Sequence, residues 1–187
     1  MHAVSDACRL ARRVRAEGEP MTPGRNEVRT PPATAGRPVM KALLLGTLAV
    51  GTLDILDAFI FFGLRGVPPI RILQSIAAGL LGRASFQGGL PTAALGLGLH
   101  YFIAFGIVGV FFLAARAMPW LLSRPFFFGP LYGLVAYGVM NYVVVPLSAA
   151  GGGGTPPRPV LLNGLLIHAF GVGLPAALAA RAAFGRR

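Results

Sequence analysis

The chain predicts an all-α integral membrane protein, with four transmembrane helices plus one short interfacial or re-entrant helix, and three observations carry that prediction. Of its 187 residues 55% are hydrophobic and only 12% charged, against about 25% charged in an average soluble domain. Four apolar runs, spanning about 42–64, 92–115, 126–147 and 160–180, each reach the ~20 residues that carry a helix across ~30 Å of hydrocarbon. The cations gather at the ends of these runs rather than in a patch interleaved with aromatics. A net charge of +11 then reads as an orientation signal, and nucleic acid is not an expected partner. The lone Cys8 allows no internal disulfide and so no oxidised secreted scaffold.

Residues 1–39 are rich in Arg, Pro, Gly, Thr and Glu and show no sustained apolar period. They are expected to form a disordered basic tail, in which residues 7–17 offer a short basic helix to anionic lipid. Met21 and Met40 are alternative starts that would leave this tail untranslated. Residues 40–187 then form a single four-helix transmembrane domain.

The first span, Ala42 to Leu64, is broken only by Asp54 and Asp57, the only acidic residues after Met40. It exceeds the 7–15 residues of a signal-peptide apolar region and no A-x-A site follows, so it is expected to stay in the membrane. Gly66-Val67-Pro68-Pro69 ends it, because proline cannot continue a helix and restricts the residue before it. Ile70 to Leu81 has a helical period, with Ile70, Leu73, Ile76, Ala77 and Leu80 on one stripe and Arg71, Gln74 and Ser75 off it. It is too short to span, which predicts a helix lying in the interface or dipping in.

The second and third spans are joined by an Arg116…Arg124 hairpin carrying Pro119 and Trp120, an interfacial pair. The third and fourth are joined by Ser148 to Pro159, a flexible loop without the Lys-Ser/Thr of a phosphate-binding loop. Gly129-x-x-x-Gly133, Ala94-x-x-x-Gly98 and Ala169-x-x-x-Gly173 permit close helix packing. Pro146 and Pro175 are expected to kink or end their helices.

Four spans put both termini on one side. Arg65, Arg71, Arg83 and Arg158 lie on the other, and the remaining 13 of the 17 cations lie with the termini. The positive-inside rule makes that side cytoplasmic.

Depth along the spans brings the polar residues together. Counting ~1.5 Å per residue, Asp54, Asp57, His100, Asn141 and His168 fall within about one helical turn of a common level, while Asn163 sits nearer the outer face. Intramembrane ionisable groups face the bundle interior and pair with one another. Two carboxylates three residues apart repel if both ionise, and a neighbouring imidazole can take or share the proton. That chemistry suits a proton relay or a cation site. The plainer reading of each residue is interhelical hydrogen bonding.

Two Asp and two His also suit a divalent metal, and a bis-histidine haem between His100 and His168 is geometrically conceivable. The sequence carries no H-E-x-x-H, E-x-x-H or C-x-x-C, so no cofactor is predicted. No G-x-S-x-G elbow accompanies Ser75 or Ser85, and enzymatic activity is not expected.

The landmarks from Leu99-His100 through Pro119, Gly129…Gly133 and Pro146 to Thr155-Pro156-Pro157 and His168 resemble the YagU-like family of small bacterial inner-membrane proteins. The resemblance covers the second to fourth spans and implies a bacterial cytoplasmic membrane, with a faint connection to protons through acid tolerance. The expected function is a channel- or transporter-like protein handling protons or a cation, Asp54 and Asp57 titrating, His100 and His168 as proton partners and Asn141 holding the geometry. Four short spans enclose little volume, so a solute pathway calls for a homo-oligomer. The alternative is a non-catalytic scaffold or assembly subunit whose polar residues fix helix pairing.

Overall fold

The computed structural model of the chain describes residues 36–152 and 156–185. The expected basic tail lies, up to residue 35, outside the described residues, as does the middle of the 148–159 loop. Among the described residues all regular structure is helical, and four helices are long and apolar enough to cross a membrane.

Helix α1 runs over Gly36–Gly63 and stops in a turn at Gly66, whose φ of 84° suits glycine. The prolines that end the span also begin the next helix. Pro68 caps α2, Pro69–Leu81, where a proline at the first helical position loses no hydrogen bond. A 3-10 turn over Gly82–Gln87 leads into α3, Gly89–Ala117. The hairpin that follows is a second 3-10 turn, Pro119–Leu122, with Ser123 Oγ donating to the Trp120 carbonyl at 2.6 Å. Helices α4, Pro125–Leu147, and α5, Arg158–Phe184, complete the bundle.

The stripe expected on α2 is rotated. Ile72, Gln74, Ala77 and Ala78 are buried, while Leu80 is exposed. Gln74 is tolerated inside because its amide Nε2 donates to the Gly89 carbonyl at 3.1 Å, with the Thr92 hydroxyl at 3.4 Å. The helix lies against α3 so closely that a side chain on Gly96 would strike the Leu73 carbonyl.

Helices α4 and α5 cross as closely. A Cβ on Gly133 would collide with the His168 carbonyl, and one on Gly173 with the Gly129 carbonyl. Two of the three small-residue pairs therefore interlock with each other. The third does not take part: Gly98 faces open space, and Gly96 makes the approach on α3 instead.

Helix α4 ends at Leu147, one residue after Pro146, whereas α5 continues past Pro175 to Phe184. Each proline is preceded by a wide π turn, Met140–Val144 and His168–Gly173. A proline ring clashes with the carbonyl four residues back and offers it no donor. Widening the preceding turn relieves that clash and redirects the backbone hydrogen bonds.

The core fills one half of the bundle. Val50, Ala104, Val108, Phe111, Phe112, Ala115, Val172, Ala176, Ala177 and Ala180 pack together, joining the first half of α1 to the second halves of α3 and α5. Phe111 meets Tyr132 edge to face at 5.0 Å. The Tyr132 hydroxyl donates to the Ile107 carbonyl at 2.5 Å. Most large apolar side chains on the outer faces, such as Leu48, Ile60, Phe102 and Phe170, remain exposed, as a lipid-facing surface requires.

Candidate functional site

Beyond the core the bundle opens into a cavity of about 360 Å³. Val50, Ala104 and Val172 form its floor, belonging at once to the core and to the lining. All five polar residues singled out by depth, Asp54, Asp57, His100, Asn141 and His168, line it, and Asn163 and Tyr137 join them. Ile72, Ser75 and Ile76 make α2 one of its walls.

The polar groups form two tiers. Counted from the helix ends at ~1.5 Å per residue, Asp54, His168 and His100 lie ~14–17 Å in, and Asp57, Asn163 and Asn141 ~8–9 Å in. The outer tier is closed by hydrogen bonds. Asn163 Nδ2 donates to Asp57 Oδ2 at 2.6 Å, and Asn141 Nδ2 donates to the Tyr137 carbonyl one turn back at 3.0 Å. Asn163 is the partner that sequence reasoning set aside as too near the outer face. Asp57 is equally near that face, six residues from the end of α1, and the depth of each from its own helix end is the signal that pairs them.

The inner tier is less closed. His100 Nε2 lies 2.7 Å from the Gly51 carbonyl and His168 Nδ1 2.9 Å from the Gly164 carbonyl. A carbonyl only accepts, so each of these nitrogens carries the proton and donates it. Asp54 Oδ1 stands 4.0 Å from His168 Nδ1, and its side chain keeps 27% of its surface exposed. Among the described residues no donor reaches Asp54 within hydrogen-bond distance.

Local packing holds both imidazoles. The Tyr137 ring meets His168 edge to face at 5.2 Å, and it can do so because Gly164 leaves room for it. Tyr101 meets His100 at 5.5 Å. It lies across Gly51, where any side chain would collide with it, and shares a 2.9 Å hydrogen bond with Thr52. Gly133 pressed on the His168 carbonyl places the start of the π turn. His168 and Asn141 thus both sit in π turns, and such turns are frequent at functional sites.

Comparison with protein-family models, curated proteins and solved structures finds no match to this chain. The site is therefore read from its own chemistry. Among the described residues no three of His, Cys, Asp and Glu converge in a way that could hold a metal ion. A haem between the two histidines would have only Nδ1 of His100 to bind, since Nε2 is committed to the Gly51 carbonyl. What the arrangement can do is accept protons or hydrogen-bond donors. Asp54 supplies carboxyl oxygens, and His100 Nδ1 and His168 Nε2 supply lone pairs.

Proposed function

We propose that this chain is a multi-pass membrane protein that handles protons or a small cation at Asp54, channel- or transporter-like in class. The observation that carries the reading is Asp54 itself, a carboxylate facing a 360 Å³ cavity within the bundle, with His168 at 4.0 Å. Intramembrane carboxylates are costly and mark ion pathways or proton relays. A short swing of the His168 ring would move its Nδ1–H from the Gly164 carbonyl to Asp54, the kind of step a relay uses. Positive-inside counting puts the hollow half on the outer side, so the cavity takes its proton or cation from there. The resemblance to YagU-like proteins supports a bacterial inner-membrane setting, and a complete pathway through so small a bundle points to a homo-oligomer.

A second reading has its own observation. His100 already bonds the Gly51 carbonyl and Asn163 already bonds Asp57, each across two helices, which is how interhelical glue behaves in a scaffold or assembly subunit. Proton flux into proteoliposomes separates the two. With Asp54→Asn/Asp57→Asn, matched to wild type for insertion and folding, flux is expected to drop to that of empty liposomes. Absence of flux in both proteins, with the variant equally or more stable, selects the scaffold.

A further inference from the structure

The hydrogen-bond inventory of the cavity is lopsided. Most of its donors are spent on the protein: His100 Nε2 on Gly51, His168 Nδ1 on Gly164, and one N–H each of Asn141 on Tyr137 and Asn163 on Asp57. What is left facing a ligand is chiefly acceptor capacity, namely the Asp54 carboxyl group, one lone pair on each imidazole and the amide oxygens, beside the second N–H of each amide and the Tyr137 hydroxyl. The rest of the lining is apolar, with Ile103, Ile107, Ile167 and Phe61 among its walls.

A bare proton requires none of this volume, and among the described residues no three of His, Cys, Asp and Glu converge to hold a metal ion. A volume of about 360 Å³ lies at the lower end of small-molecule sites, which run from about 300 to 1,000 Å³. Three N–H donors and a positive charge on an apolar body complement acceptors on an apolar lining. Resting on the cation reading above, we infer that the cavity binds a small organic ammonium ion, its nitrogen at Asp54 and its hydrocarbon part against the isoleucines.

The test is calorimetric titration of the full chain in detergent with phenethylammonium, against its uncharged analogue 2-phenylethanol and against methylammonium. Wild type is expected to bind the ammonium and to give only micelle-partition heats with the alcohol. Asp54→Asn should weaken phenethylammonium binding ~10–100-fold, as loss of a charge-assisted hydrogen bond does. Ile107→Phe, which takes up cavity space from a lining position whose neighbours on α3 are apolar, should lose phenethylammonium and keep methylammonium. Equal heats for amine and alcohol, or ammonium affinity unmoved by both variants, would overturn the inference. Proton flux that depends on Asp54, without Asp54-dependent ammonium binding, overturns it as well and leaves the proton reading standing. Binding that depends on Asp54 in a protein without proton flux supports it and removes the proton part of that reading.

Discussion

One half of this bundle is solid and the other is hollow, although the same helices build both. In the solid half α1, α3 and α5 meet through alanines, Ala115, Ala176, Ala177 and Ala180, and Phe111 and Phe112 fill the space between them. In the hollow half the residues at equivalent places are Asp54, Asp57, His100 and Asn163. Their polar atoms reach for backbone carbonyls and for each other instead of filling volume. The difference teaches that the cavity follows from side-chain chemistry, since close-packed interiors leave few voids larger than a water molecule.

Three tests would break or sharpen that contrast. The largest effect is expected at the seam. Gly133→Leu drives a side chain into the His168 carbonyl, which is backbone and cannot swing aside. Overpacking costs about 1–3 kcal/mol and sometimes more, and here the upper end or beyond is expected, seen as loss of the monodisperse species in size-exclusion chromatography. Normal behaviour of that variant would mean that α4 and α5 do not cross at these glycines.

Next in size is a paired truncation. Phe111→Ala in the solid half should cost about 3 kcal/mol or more, because its neighbours are fixed on every side. Ile103→Ala, on the cavity wall, only enlarges a space that already exists and should cost about 1 kcal/mol. Unfolding in mixed micelles compares the two, and equal losses would erase the distinction between the halves. Between Phe111→Ala and Ile103→Ala in size falls Asn163→Ala, which strips Asp57 of its 2.6 Å donor. A loss of about 1.5–3 kcal/mol is expected for a hydrogen bond to a charged group, partly recovered in Asn163→Ala/Asp57→Asn. Failure of that second change to recover stability would show that the pair is not coupled.

The spans and the polar centre were legible in the sequence for a simple reason. Length and hydropathy report what a helix must do in lipid, and Asp54, Asp57, His100, Asn141 and His168 interrupt that pattern conspicuously. The partners were not legible. Gln74 was assigned to the polar face of α2, yet it is buried because Gly89 and Thr92, fifteen and eighteen residues on, supply acceptors. Asn163 was placed apart from Asp57, 106 residues away in the chain. Periodicity describes one helix at a time, and both errors concern what a neighbouring helix offers. The close crossings were half legible: Gly129, Gly133, Ala169 and Gly173 stand in recognisable pairs, but nothing in Ala94-x-x-x-Gly98 tells that Gly96 between them does the packing.

The π turn over His168–Gly173 also says something about how this chain tolerates insertions and deletions. Such a turn holds one residue more than an α-helical path of the same course would, and one residue corresponds to about 100° of rotation. Removing a single residue there would let α5 run as a plain α-helix over the same course. Ala176, Ala177 and Ala180 would keep their places in the core, and Asn163 its place beside Asp57. The turn absorbs a residue that a plain helix would have to express as rotation, so a one-residue deletion is tolerable here where the same deletion elsewhere in α5 is not.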